Sequence, residues 1–350
     1  MTPTPLRILY VADFHRTKYQ IKFFSVQRKL SNGFIRLGHN VVQFSDRDVA
    51  RESSMLGSSK LGSRKMNATL IRSARTYQPH IIFFGHADLI EEDTYFALRE
   101  TCKDVRLAQI NVDATFRQKT MKAFSQRSAV VDASFLTTAD KREIGAIEPK
   151  PQNVFYIPNP VDDSIETGKA FNFSRENLNL DLLFLGTGIE TREQQINFLE
   201  DKLPQDVRRS FSGGLRSSPR FSGLEFLKMI ESSAQNLNIP LNHTRPEAFL
   251  YSSDRVALLL GQGTLTHTSC HSRLEQLYDD GIVVYETLDN LVENIIRLTA
   301  DDKQRQATAE KGWRIAHSRT NSTRVAKYMI ERVLAEQPSE QYEWPIEALV

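Results

Sequence analysis

Leu250 to Leu277 reads LYSSDRVALLLGQGTLTHTSCHSRLEQL. The pattern predicts an apolar helix opened by Ser252, Ser253 and Asp254 and closed by Gly261-Gln262-Gly263. A strand from Thr264 to Thr268 follows. Small polar side chains at a helix start accept hydrogen bonds from backbone N–H groups that have no partner inside the helix. Glycines at the stop let the chain turn sharply and let another molecule approach its backbone. A helix bounded in this way, joined to a buried strand, is a building block of α/β folds and a common setting for a nucleotide.

The same alternation extends upstream. Strands are expected at Arg7 to Ala12, Asn40 to Ser45, His80 to Phe84, Leu107 to Val112 and Ala133 to Thr137. Helices are expected from Phe23 to Leu37, closed by Gly38, and from Met66 to Tyr77. The polar segment Ser53 to Arg64 between them reads as a loop. His80 to Phe84 is apolar at nearly every position, as a strand covered on both faces requires. The proline-dense stretch from Glu148 to Asp162 reads as a connector between domains. The pattern then restarts with a strand at Asp181 to Leu185, a Gly186-Thr187-Gly188 loop and a helix from Arg192 to Leu203. Three more helices are expected at Asp289 to Thr299, Asp302 to His317 and Ser322 to Ala335. Strands alternating with helices imply parallel sheets with right-handed crossovers. The expected class is therefore α/β, with two Rossmann-like doubly wound lobes facing a central cleft. The expected divisions are 1–158, 159–320 and a helical tail 321–350.

A chain of 350 residues has room for two cores of ordinary size. Its 40% hydrophobic and 25% charged content is that of a globular protein. A formal net charge of +2 argues neither for nor against nucleic acid or membrane contact; no nucleic acid partner is expected. No apolar run approaches membrane-spanning length, and the first residues lack the layout of a secretory signal. Cys102 and Cys270 lie too far apart in sequence to form a metal or redox motif. They read as small buried hydrophobes in a reducing cytoplasm.

In doubly wound sheets ligands bind beyond the carboxyl ends of the strands. Asp13, His15, His86, Asp88 and Asp113 fall at or just past expected strand ends in the first half. There a carboxylate or imidazole can position or deprotonate a hydroxyl. Each Asp also fits a turn or helix cap, and each His a hydrogen-bonded surface role. In the second half, Gly186-Thr187-Gly188 can present backbone N–H groups and a helix start to a phosphate. It also fits an ordinary strand-to-helix turn. Arg192 in the next helix could add charge there or could be solvated. Asn242, Arg245, Ser252, Ser253, Asp254 and Arg255 supply hydroxyls, a carboxylate, an amide and guanidinia suited to a ribose and a diphosphate. A capped helix with an Asp–Arg surface contact is the plainer reading of the last four. Asp46-Arg47-Asp48 has the Asp-x-Asp form of some cation sites but reads as a turn after the second strand. No zinc-protease, Walker or nucleophile-elbow motif is present.

Several segments together resemble bacterial group 1 glycosyltransferases, in the branch similar to spore-maturation-protein-like transferases. They are Arg28-Lys29-Leu30-Ser31-Asn32-Gly33-Phe34-Ile35-Arg36 with Gly38-His39, Phe44-Ser45-Asp46-Arg47-Asp48, Gly85-His86-Ala87-Asp88, and Tyr156-Ile157-Pro158-Asn159-Pro160-Val161-Asp162. In the second half they are Leu241-Asn242, Arg245, Tyr251-Ser252-Ser253-Asp254-Arg255, Gly261-Gln262-Gly263-Thr264-Leu265-Thr266 and Asp280-Gly281-Ile282-Val283-Val284-Tyr285. The resemblance implies a GT-B fold of two Rossmann-like lobes. It implies a glycan or lipid-linked acceptor on the first lobe and a nucleotide-sugar donor on the second. It further implies a metal-independent transfer of hexosyl type, and a last helix that crosses back to the first lobe.

On this resemblance Gly186, Thr187, Gly188, Arg192, Asn242, Arg245, Ser252, Ser253, Asp254, Arg255, Gly261 and Gly263 are the expected donor-binding residues. Asp13, His15 and Asp88 are expected to meet the acceptor, and Asp113 or His86 to act on its hydroxyl. No cofactor or metal is expected. The sequence departs from larger relatives, which carry two glutamates eight positions apart around the Leu250–Leu277 helix. Those places hold Leu250 and Leu258. Either Asp254 takes over the ribose contact or nucleotide binding is altered or lost. A non-catalytic sugar-nucleotide or glycan-binding protein and a sugar-nucleotide epimerase are the alternatives. The expected location is cytoplasmic; the basic run Lys18, Lys22, Arg28 and Lys29 offers a peripheral contact at the inner face of the membrane but more often marks a solvated helix face.

Overall fold

The computed structural model describes residues 5–15, 23–215, 218, 220–240 and 248–350. It divides into two compact units, Met1–Pro158 with Ser322–Val350, and Asn159–Asn321. Each is built on one parallel sheet, giving two Rossmann-like lobes.

The first sheet contains β1 (Arg7–Ala12), β2 (Asn40–Ser45), β3 (Ile81–Gly85), β4 (Arg106–Asn111), β5 (Ala133–Leu136) and β6 (Val154–Tyr156). Their order is β2-β1-β3-β4-β5-β6. The apolar runs of β1 and β3 are buried almost throughout, because helices cover both faces. The helices are α1 (Val26–Arg36), α2 (Asp46–Glu52), α3 (Ser59–Tyr77), α4 (Glu92–Thr101), α5 (Gln118–Ser128) and α6 (Lys141–Gly145). One face of the sheet packs Leu9, Val11, Ile82 and Phe84 against Met66, Leu70, Tyr95 and Leu98. On the other, Phe34 of α1 stacks on Phe83, with ring centroids 4.7 Å apart.

Three local expectations are corrected here. Asp46-Arg47-Asp48 opens α2 rather than forming a turn. The segment read as a loop to Arg64 is helical from Ser59. Its Gly62 lets α3 lie directly on the main chain of α2, since a Cβ there would overlap the Ala50 carbonyl. The proline-dense connector contains β6, which pairs with β5.

The second sheet contains β7 (Leu180–Leu185), β8 (Arg209–Ser212), β9 (Ser233–Asn238), β10 (Leu265–Ser269) and β11 (Val283–Tyr285), in the order β11-β10-β9-β7-β8. Its helices are α7 (Glu190–Lys202), α8 (Gly223–Glu231), α9 (Asp254–Gly261), α10 (Glu275–Tyr278), α11 (Leu288–Ala300) and α12 (Asp302–Arg319). β9 escaped the sequence reading because it is polar, Ser-Ala-Gln-Asn-Leu-Asn, yet every residue of it is buried. Distant partners satisfy those polar groups, as burial demands. Gln235 Nε2 donates to Thr299 Oγ1 at 2.8 Å, and its Oε1 lies 2.8 Å from His267 Nε2. Burial lowers the His267 pKa to about 3, so the ring is neutral.

The last helix, α13 (Ser322–Val333), belongs to the first unit and packs on α1. Gly33 is the contact point: a Cβ there would overlap the Ser322 carbonyl and lie 2.9 Å from Ala326 Cβ. Beyond α13, Leu349 N donates to Val154 O at 2.7 Å and so engages the edge strand β6.

The two sheets are wound alike. In each, the first strand lies between the second and the third. The direction in which strands are added across the sheet therefore reverses between β1 and β3, and again between β7 and β9. A doubly wound sheet offers its ligand crevice at the carboxyl end of such a pair.

Candidate functional site

In the second unit, β7 ends at Leu185 and runs into Gly186-Thr187-Gly188. β8 ends at Ser212 and runs into Gly213-Gly214, whose φ values are +94° and +100°. Side chains are strained in that left-handed region, so the turn calls for glycine. The two loops touch: a Cβ on Gly213 would lie 2.7 Å from Gly186 N, and one on Gly188 would lie 3.1 Å from Gly214 O. The third strand end, β9, leads from Asn238 to Ile239 and Pro240.

Guanidinia surround these loops. Arg255 NH1 donates to Ile239 O at 3.2 Å, and its NH2 lies 3.0 Å from where a Gly186 Cβ would be. Arg220 Nε lies 2.9 Å from the corresponding point at Gly214. Arg192 is 4% exposed and donates to Thr187 O, Ile239 O and Pro240 O at 3.2, 2.9 and 3.3 Å. Arg192 and Arg255 both lie over the Phe184 ring, at 5.5 and 5.1 Å from its centroid.

The start of α9 differs from the sequence expectation. Ser253 is the N-cap, but no side chain caps the first turn. The Ser253 hydroxyl instead donates to Asn238 Oδ1 at 3.3 Å. Ser252 is buried, and its carbonyl accepts from Asn159 Nδ2. The Asp254 side chain is exposed. α7 also begins without a side-chain cap, at Ile189. At both α7 and α9 the N-cap side chain leaves the first-turn N–H groups uncapped, an arrangement suited to an anion.

In the first unit, the strands flanking the reversal both lead into a histidine in left-handed conformation, His15 and His86, each with φ +48°. Such a backbone costs roughly 1–2 kcal/mol per residue, and functional sites are where strain of this kind collects. Asp13 accepts from His15 N at 3.2 Å. Arg47 bridges Asp13 at 3.4 Å and Asp88 at 2.8 Å. His86 Nδ1 lies 3.9 Å from Asp113, which Arg117 approaches at 3.5 Å. The five residues picked from the sequence therefore form two adjoining ion-pair groups, with Arg47 and Arg117 completing them.

Asp46 is fully buried beside this cluster, with Oδ2 unpartnered. Burial pushes its carboxyl up to about 7, with help from Asp13 and Asp88. A carboxyl of ordinary pKa when unfolded and near 7 when folded binds its proton more tightly in the fold. Its ionisation thus destabilises the protein as pH rises from about 4 to 7. Asp46→Asn is expected to remove that slope, with a gain of roughly 2–4 kcal/mol above pH 7 and none near pH 4. Thermal melts at the two pH values check this, and equal melting temperatures for both proteins at pH 8 would refute it.

Comparison with known proteins follows the same lines. Residues 191–331 match a family model described as glycosyl transferase-like. No curated protein matches the sequence. Among solved structures, the chain is similar to Anabaena HepE in complex with UDP-glucose, at 10% identity and a TM-score of 0.61, over 94% of this chain and 100% of that one. Sucrose-phosphate synthase from Thermosynechococcus elongatus is similar at 10% identity and a TM-score of 0.61, over 93% of this chain and 98% of that one. AviGT4, a glycosyltransferase involved in avilamycin A biosynthesis, is similar at 14% identity and a TM-score of 0.58, over 94% and 97%.

The chain has the GT-B fold.

Within this GT-B chain several expected site residues have structural places. Gly261 and Gly263 are filled in by the protein itself, not left open to a ligand. A Cβ on Gly261 would lie 2.7 Å from Glu166 Cβ, and one on Gly263 2.7 Å from Phe171 Cδ1. Both sit at the far end of α9 from Ser253. Arg192 is committed to three carbonyls and holds the loops together. Leu250 and Leu258 are each 3% exposed, so neither is a surface contact. Asn242 and Arg245 lie outside the described residues. So do Lys18 and Lys22 of the expected basic surface. The rest of that surface is not free: Lys29 is buried, and Arg28 is bonded to Gln43 at 2.8 Å.

Sequence reasoning missed Gly213, Gly214, Arg220, Asn238 and the burial of Asp46. The Gly-Gly pair after an apolar-polar stretch was the one signal available. Among the described residues, no three His, Cys, Asp or Glu side chains converge as metal ligands, and no helix is long and apolar enough to cross a membrane.

Proposed function

We propose that the chain transfers a sugar, of hexosyl type, from a nucleoside-diphosphate donor to a glycan or lipid-linked acceptor, on the cytoplasmic side of the cell, in the spore-maturation-protein-like branch. The observation that carries this reading is the convergence of three strand ends, three arginines and two uncapped helix starts in the second unit. Guanidinium groups and helix N-termini neutralise the charge of a diphosphate without a bound metal ion. Arg255 and Arg220 contact the phosphates, with backbone N–H groups of Gly186–Gly188. Arg192 acts by holding that loop. Ser253 and Asp254 serve the ribose or sugar, the role left open by Leu250 and Leu258, and Asn242 and Arg245 are assigned to the same donor. In the first unit, Asp13, His15 and Asp88 bind the acceptor. His86 or Asp113 takes the proton of its hydroxyl as oxygen bonds to the anomeric carbon and the diphosphate leaves.

The two leucines favour one second reading, a protein that binds a nucleotide sugar and does not transfer it. Thermal stabilisation by nucleoside diphosphates and nucleotide sugars without added metal tests the donor site. A base-selective shift, reduced at least about tenfold in affinity by Asp254→Ala, is the expected result. Diphosphate release with acceptor, kept in Asp254-intact protein and lost in Asp113→Asn, separates transfer from binding. No shift with any nucleotide would refute the proposal.

A further inference from the structure

The loop between α2 and α3 carries a feature that the sugar-transfer reading does not use. Met55 and Leu56 are adjacent and 103% and 81% exposed, and Leu61 in the first turn of α3 is 68% exposed. These are the three most exposed large apolar side chains among the described residues, and they sit within seven positions of one another. Gly62 explains why they project. It clamps the start of α3 onto the main chain of α2 at Ala50, so the loop between has no core to enter.

The charge on the same segment has one sign. α3 contains Lys60, Arg64, Lys65, Arg72 and Arg75 and no Asp or Glu. The sequence holds no carboxylate residue between Glu52 and Asp88. All five cations are exposed, and among the described residues none forms an ion pair. The buried side of α3 places Met66, Leu70 and Ala74 in the core, with Asn67 bonded to Leu89 O beside them.

We propose that this element docks on an anionic lipid bilayer surface, with Met55, Leu56 and Leu61 entering the interface and the α3 cations lying over the headgroups. An apolar tip in water is unfavourable unless something covers it, and cations around it select an anionic cover. A nucleic acid would use the cations but leave the Met-Leu tip wet. A bilayer uses both, and a polybasic patch with an apolar insertion gives the two signals that stable attachment needs. α2 starts at Asp46, beside the Asp13–Arg47–Asp88 cluster, so docking would hold that cluster near lipid-borne molecules. The surface itself needs no donor or acceptor, and its test is independent of the transferase reading.

The experiment is co-sedimentation of the full chain with phosphatidylcholine vesicles, with and without about 30 mol % phosphatidylglycerol, at low and high salt. Binding is expected to the anionic vesicles alone and to weaken with salt. Met55→Ser with Leu56→Ser should lower the partition coefficient at least about tenfold, since it removes the insertion. Lys60→Glu with Lys65→Glu should abolish it. Leu224→Ser removes an apolar side chain 57% exposed elsewhere and should change nothing. All three variants alter solvent-facing side chains, and unchanged thermal melts confirm that they fold. Three results overturn the proposal: no binding to anionic vesicles, equal binding of the Met55/Leu56 variant, or retention on a DNA duplex at the same salt with no vesicle binding.

Discussion

Arg255→Glu is expected to raise the dissociation constant for the preferred nucleoside diphosphate at least about 1,000-fold, a loss of about 4 kcal/mol. Calorimetric titration measures it. The size follows from two additive effects. The substitution deletes charge-assisted hydrogen bonds worth roughly 1.5–3 kcal/mol and sets a carboxylate against the phosphates in a partly buried loop cluster. Arg255 is placed for this by its bond to Ile239 O and its stacking on Phe184. Losing those contacts costs some stability, but the hydrophobic face of α9 remains, so the unliganded melt should fall by a few degrees at most. Arg220 reaches the same loops beside Gly214, and Arg220→Ala should cost about tenfold in affinity. An Arg255→Glu protein that still binds with unchanged affinity would place the diphosphate elsewhere and remove the basis of the donor assignment.

Gly33→Val is expected to cost more than about 4 kcal/mol of stability, because the overlap is with main chain and not with a movable side chain. The Ser322 carbonyl and Ala326 Cβ both occupy the space a side chain would need. Helices α1 and α13 must separate, which also strains the Arg36–Ser322 hydrogen bond of 3.0 Å. Urea denaturation should show an earlier midpoint, and limited proteolysis should cut the released C-terminal segment. Gly145→Ala is the control, since nothing lies within 4 Å of a Cβ there. An unchanged midpoint for Gly33→Val would mean that α13 is not seated on α1.

The sequence by itself determined the elements whose burial is apolar. β1, β3 and β7 are rich in Ile, Leu, Val and Phe, and strands of that composition are buried in a parallel sheet covered on both faces. The amphipathic helix α1 and the stop at Gly38 were legible for the same local reason. The Gly186–Gly188 turn and the polar start of α9 could be picked out because chain punctuation is written in adjacent residues. Their chemical surroundings could not.

Only the tertiary structure decided which polar residues go inside. β9 is central because Gln235 finds Thr299 and His267, 64 and 32 positions away. Arg192 became a loop clamp because three carbonyls from two strand ends meet around it. Gly213-Gly214 joined the site because β8 pairs beside β7. Asp46 became a buried acid because the fold encloses the start of α2, within electrostatic reach of Asp13 and Asp88. Periodicity and turn chemistry act over a few residues, and a sequence displays them directly. A polar side chain is buried or exposed according to partners that only folding brings near, since a paired group can leave water at little cost and an unpaired one cannot.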